Sequence, residues 1–130
     1  MFLNLAHADQ KIVKALITQE ALAQGIDPKL AVSVAFVESS FKQSAVGPVG
    51  EIGVFQLRPE MHRGDLHNLM VNVHSGVSYL KEMKQRCPVS QFVICYNQGT
   101  KRKPKHPESH PYYKKVMKVY AQMEFEGIFN

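Results

Sequence analysis

An all-α fold is what this chain predicts, and three observations carry the prediction. Apolar residues recur at spacings of three and four along most of its length. No stretch alternates apolar and polar residues for long enough to make a strand. Glycines and prolines stand mostly where the helical spacing breaks, and so punctuate the helices rather than interrupt them.

Gln10–Gln24 places Ile12, Val13, Leu16, Ile17, Glu20 and Ala21 at helical spacing, with Gly25 as the stop. Asp27-Pro28 opens a second helix, the aspartate as N-cap and the proline in the first turn. Its apolar stripe is Leu30, Ala31, Val34, Val37 and Phe41. The loop from Lys42 to Ile52, with Gly47, Pro48 and Gly50, is expected to bend the chain so that the Gly53–Leu57 turn faces the end of this helix. Arg58–Leu69 is polar and reads as a connecting loop. Val73, Gly76, Val77, Leu80 and Met83 mark a third helix, ended by Pro88. A mid-helix glycine costs about 1 kcal/mol against alanine, so another backbone is expected to pack closely at Gly76. Ser90 can cap a short helix over Gln91–Gln98 with a buried Phe92–Cys95 run, ended by Gly99. Thr100–Pro111 is a loop rich in lysine, proline and histidine. Pro111–Met123 is the last helix, with Tyr113, Val116, Met117 and Tyr120 inward.

A chain of 130 residues makes one domain with a hydrophobic core. We find no repeat and no linker, so residues 1–130 read as a single domain, and a monomer is expected. The formal charge of +5 favours acidic partners: nucleic acid, anionic lipid or a polyanionic cell wall. No apolar run reaches membrane-spanning length. Residues 1–9 lack a basic leader and a long apolar segment, so no export signal is visible. Cys87 and Cys95 are expected as two free thiols, the alternative being a bridge across the Pro88 turn.

One carboxylate stands out. Glu38 follows Ala31 by seven residues and Val34 by four, which puts it on the apolar stripe of the second helix. Desolvation there disfavours the charged form. A carboxyl that stays protonated near neutral pH can act as a general acid. The plain alternative is a rim residue paired with a lysine.

What surrounds Glu38 sharpens the choice. Glu38-Ser39-Ser40-Phe41 is followed by Ala45-Val46-Gly47-Pro48-Val49-Gly50 and by Gly53-Val54-Phe55-Gln56-Leu57-Arg58-Pro59. Later come Asn72–Leu80, Cys95-Tyr96-Asn97-Gln98-Gly99 and Tyr112-Tyr113-Lys114-Lys115-Val116. In this order and spacing the pieces resemble the soluble lytic transglycosylase family over about residues 20–118. The resemblance implies a goose-type-lysozyme-like fold with an active-site cleft that cleaves peptidoglycan glycan strands. It implies no cofactor and an enzyme that acts in the periplasm or cell wall. With no leader visible, a phage lysis or virion enzyme, or a chain with its leader removed, is expected.

The resemblance also assigns residues. Glu38 would protonate the glycosidic oxygen between N-acetylmuramic acid and N-acetylglucosamine, then act as base toward the sugar's own C6 hydroxyl. That closure gives a 1,6-anhydro end. Ser39 would hold substrate or position the carboxyl, its plain alternative being a helix-end hydroxyl on a backbone carbonyl. Gln56 offers an amide suited to N-acetyl groups. Tyr96 and Asn97 would line the cleft, with the tyrosine hydroxyl close to the catalytic carboxyl. Tyr112 matches the family's late tyrosine near that carboxyl, and Tyr113 reads as core. Glu51 departs from the small residue usual in the family, and reads as a solvated loop residue. The alternatives kept are a true muramidase, in which Glu51 or another carboxylate activates water, and a catalytically idle wall-binding or virion module.

Two weaker patterns are set aside. His106 and His110 have the outer spacing of a zinc helix, but Pro107 and Pro111 break that helix, so no metal is expected. The Lys101-Arg102-Lys103-Pro104-Lys105 tract lacks interleaved aromatics, so nucleic acid is not an expected partner.

Overall fold

The structure, a computed structural model, describes the backbone of residues 5–88, 91–101 and 106–126. Its regular elements are α1 (Leu5–Gln24), α2 (Pro28–Ser39), α3 (Leu69–Arg86), α4 (Phe92–Gln98), a 3₁₀ turn (Pro107–Ser109) and α5 (Pro111–Glu126). Among the described residues the only β pairing is two isolated bridges, Val46 with Ile52 and Ile52 with Leu57. The fold is the all-α, lysozyme-like one expected.

α1 begins at Leu5, earlier than expected, since nothing in residues 5–9 breaks a helix. It buries Val13, Ile17 and Ala21, spaced by four. It ends at Gly25, whose φ of 73° lets the Ile26 N–H reach the Ala21 carbonyl at 2.8 Å.

α2 starts as the sequence says, with Asp27 accepting from the Lys29 N–H at 3.0 Å and Pro28 in the first turn. It is buried on more than one stripe: Val32, Ser33 and Ala35 are covered as fully as Ala31 and Val34. The reason is that α1 and α5 both pack on it. α5 is fastened to its start, where the Tyr120 hydroxyl donates to Asp27 Oδ2 at 2.6 Å and Lys29 Nζ lies 5.0 Å from the Tyr120 ring centre. Val116 and Met123 of α5 enter the common core.

α3 is capped by Asn68 and packs on α1 and α4. The close approach expected at Gly76 is real, but its partner differs. A Cβ there would collide with the Phe55 ring, a side chain rather than a backbone. Two further expectations change. Cys87 and Cys95 are not free thiols: they form a disulfide that ties the end of α3 to α4. The Gln91 and Phe92 N–H groups both donate to the Pro88 carbonyl, at 2.8 and 3.1 Å, which keeps the start of α4 close to the end of α3. Closing so short a loop is worth about 2.5 kcal/mol in chain entropy. Ser90, expected as a cap, lies outside the described residues. Among those described, no helix is long and apolar enough to cross a membrane.

Candidate active site

Glu38 sits in the last turn of α2, half-buried. Its Oε2 accepts a hydrogen bond from the Tyr112 hydroxyl at 2.7 Å, which joins α2 to the first turn of α5. Its Oε1 has no hydrogen bond to the described residues. Burial raises the proton affinity of Glu38, the Tyr112 bond opposes that, and the negative charge of Glu51 adds to it. Burial, and then the Glu38 charge, pushes the Tyr112 and Tyr96 phenols far above their ordinary range. Both therefore stay protonated and act as donors.

The backbone bends sharply after Glu38. Ser40 and Phe41 have φ of 54° and 65°, and Gln56 has 49°. These three are the only non-glycine residues with positive φ among those described, and they flank the same site. Left-handed backbone at ordinary residues is held only where the surroundings over-determine it.

At Gln56 the surroundings that hold it are side chains bonded to the backbone of its turn. The Gly53–Leu57 turn is closed by Ile52 and Leu57, each N–H to the other's carbonyl at 2.9 and 3.0 Å. Its buried amides and carbonyls need partners. Asn72, fully buried on α3, accepts from the Phe55 N–H at 2.9 Å and donates to the Ile52 and Leu66 carbonyls at 2.8 and 2.9 Å. Gln43 accepts from the Val54 N–H at 3.1 Å and donates to the Leu66 carbonyl at 2.8 Å. The Tyr96 hydroxyl donates to the Phe55 carbonyl at 2.7 Å. A Cβ on Gly53 would strike Asn72 and Gln43, and its φ is 78°, so glycine is required there.

Ser39 belongs to this clamp. Its hydroxyl donates to the Val54 carbonyl at 2.7 Å, so it fastens the turn to α2 and is not among the residues lining the cleft. Gln56 does line it. Its Nε2 donates to the Ala45 and Gly53 carbonyls at 3.2 and 3.0 Å. Two carbonyl partners fix which end of the amide is NH2, so Oε1 turns toward Gly47, where Glu51 Oε1 also lies. Glu51 is not the solvated loop residue expected. It is half-buried, accepts from the Val49 N–H at 2.9 Å, and lines the cleft with Glu38. Gly47 makes this possible, since it has no side chain between the loop and the two oxygens.

The cleft encloses about 340 Å³. Glu38, Glu51, Gln56, Tyr79, Tyr96 and Asn97 line it, the last two from the end of α4. Asn97 is exposed on its wall. The direct bond to Glu38 comes from Tyr112, while the Tyr96 hydroxyl is used on the turn. Tyr113 is half-buried against the core, as expected. His110 steadies the approach to Tyr112. Its Nδ1 accepts from the Tyr112 N–H at 3.2 Å, which leaves the ring proton on Nε2, 3.1 Å from Gln98 Oε1. Among the described residues no group of three histidine, cysteine or acidic side chains could hold a metal.

Sequence reasoning missed Asn72 and Gln43. Asn72 had a signal: it lies one helical turn before Gly76, on the face that carries Val73 and Val77, and a polar residue there must find partners. Gln43, in a loop, had none.

A half-buried carboxyl bonded to a tyrosine, at an open cleft in a helical scaffold, fits the lysozyme-like class of fold. Residues 15–116 match the family described as the Transglycosylase SLT domain, and the chain belongs to that family. Its function is of the peptidoglycan-cleaving transglycosylase type, and its substrate is cell-wall peptidoglycan.

Proposed function

We propose that the chain is a lytic transglycosylase in which Glu38 is the sole acid and base. The observation that carries this is the asymmetry of its carboxyl. Tyr112 occupies Oε2, so Oε1 is the oxygen left to hold a proton toward the cleft. Burial keeps that proton on at a pH where an exposed carboxyl has lost it.

In the first half of the reaction Oε1 gives its proton to the glycosidic oxygen, and the bond from that oxygen to C1 of N-acetylmuramic acid breaks. N-acetylglucosamine leaves with the proton. In the second half the carboxylate, steadied by Tyr112, takes the proton of the C6 hydroxyl while O6 closes on C1. The carboxyl is regenerated and no water is consumed. An internal nucleophile has a large effective molarity, which makes a second protein carboxylate unnecessary. Asn97 presents its amide, and Gln56 its remaining amide oxygen, to the N-acetyl substituents, and Tyr96 with Ser39 holds the turn that carries Gln56.

A second reading has one observation in its favour: Glu51 lines the same cleft. As a base for water it would make the enzyme a muramidase, with hydrolysed ends.

Glu38→Gln tests the proposal. Release of soluble muropeptides from purified peptidoglycan should fall by about a thousandfold, the usual contribution of general acid–base catalysis. Binding to the insoluble polymer should be retained. Lysis that survives the substitution rules out Glu38 as the acid.

A further inference from the structure

His110 stands between the 3₁₀ turn and α5, and each of its polar groups is engaged. Its N–H donates to the Pro107 carbonyl at 3.0 Å, which closes the 3₁₀ turn. Its carbonyl accepts from the Lys114 N–H at 3.0 Å, the first bond of α5. The ring reaches in two directions. Nδ1 accepts from the Tyr112 N–H at 3.2 Å, and Nε2 lies 3.1 Å from Gln98 Oε1 at the end of α4. A backbone N–H can only donate, so Nδ1 is the bare nitrogen and Nε2 carries the proton that Gln98 accepts.

The local sequence makes the Tyr112 amide the one to hold. Pro111 fills the first position of α5 and has no N–H, so the Tyr112 N–H is the first unpaired donor of that helix. A short N-cap such as asparagine would satisfy it. To reach α4 as well takes a donor set beyond the acceptor, and the imidazole supplies both on one rigid ring. What the ring joins bears on the chemistry. Tyr96, Asn97 and Gln98 line the cleft from the end of α4. The Tyr112 hydroxyl donates to Glu38 Oε2 at 2.7 Å. The contacts Gln98–His110–Tyr112–Glu38 therefore run unbroken from the cleft wall on α4 to the carboxyl on α2. A bond of that length is lost once its partners part by about 1 Å, so the place of the Tyr112 backbone decides whether the phenol reaches.

We propose that His110 is a positioning residue for the reaction: by tying the Tyr112 backbone to the end of α4, it holds the Tyr112 hydroxyl on Glu38. The inference deepens, and rests on, the reading of Glu38 as acid and base. The Tyr112 bond lowers the proton affinity of Glu38. A Tyr112 that drifts leaves a carboxyl that keeps its proton more tightly and gives it up more slowly.

The test separates positioning from capping. Asparagine keeps an acceptor for the Tyr112 N–H but is too short to reach Gln98. In His110→Asn the melting temperature should be unchanged. Turnover on purified peptidoglycan should fall about threefold, toward the lower end of the worth of one hydrogen bond. The titration of the Glu38 carboxyl, followed by carbon-13 NMR and identified by its absence from Glu38→Gln, should move up, the direction expected of Tyr112→Phe. In a Tyr112→Phe background the same substitution should change neither rate nor titration, because a group that acts through the hydroxyl has nothing left to act on. A general loosening of the fold is common to both backgrounds and cancels in the comparison. A His110→Asn protein that matches the parent in rate and titration overturns the proposal. So does a loss that persists undiminished beside Tyr112→Phe. The titration does not depend on cutting. A coupled titration together with hydrolysed products would sink the single-carboxyl chemistry and leave the positioning role standing. Anhydro products with an unmoved titration would do the reverse.

Discussion

Two segments border the cleft, Gly53–Leu57 and Arg58–Gly64, consecutive in sequence and opposite in character. The first is buried except for Gln56, and four side chains from three helices and a loop bond its backbone. The second is exposed except for half-buried His62. It is held by the Met61 N–H on the Arg58 carbonyl at 3.0 Å and a loose Arg58–Glu60 pair at 3.8 Å. The difference separates a fixed wall from an adjustable one. The proposed chemistry needs Gln56 and Glu38 held in register, and a turn without secondary structure is held only by satisfying each buried amide and carbonyl. The exposed side chains of the second segment are free to adjust.

The comparison breaks first at Asn72. Asn72→Ala removes three hydrogen bonds and leaves buried groups unpaired, so it should cost about 3 kcal/mol, or about 10 °C in melting temperature for a chain of this size. Arg63→Ala should move stability by no more than about 0.5 kcal/mol. Thermal unfolding of the two variants side by side decides it; equal shifts would mean that the turn is not the fixed wall. Gly76→Ala comes next. Its methyl meets the Phe55 ring, and the overpacking should cost about 2 kcal/mol and lower activity by displacing the turn.

Finer changes act on Glu38. Tyr112→Phe removes the bond that lowers its proton affinity. Turnover should fall about tenfold and the alkaline limb of the pH–rate profile should move up. Glu51→Gln removes a charge that raises the affinity, so the limb should move down, with the smallest loss of rate. Movement of both limbs in one direction contradicts the electrostatic account. Stability follows the same sign. Because the folded state holds the Glu38 proton more tightly than the unfolded chain, its contribution is complete below the ordinary carboxylate range. It is lost as pH rises through the raised value. Glu38→Gln should therefore match the parent at low pH and exceed it above that value, as denaturant titrations at several pH values would show.

Much of the fold was legible in the sequence. Helical spacing placed all five helices, and Asp27-Pro28, Gly25 and Gly99 marked ends the structure keeps. Glu38 was legible as a carboxylate on an apolar stripe. Tyr112 was not legible from pattern, because seventy-four residues separate it from Glu38; it came from family resemblance. The left-handed backbone at Phe41 and Gln56 had no signal either, since neither residue type favours it. At Gln56 the turn is held by the tertiary clamp from Asn72, Gln43 and Tyr96. The disulfide was legible only as an alternative, the bridge across the Pro88 turn, because cysteine spacing alone does not fix the geometry a bridge needs. Glu51 looked solvated because the fold-back through Gly47 that turns it inward is a property of the loop.

The central claim is that one carboxyl does both proton transfers and that no water enters. The most direct test is the mass of the soluble products that the parent enzyme and Glu51→Gln release from purified peptidoglycan. The account predicts products one water lighter than hydrolysed muropeptides, ending in 1,6-anhydro-N-acetylmuramic acid, from both proteins. Reducing ends from the parent, lost in Glu51→Gln, would contradict it and identify Glu51 as the base for water.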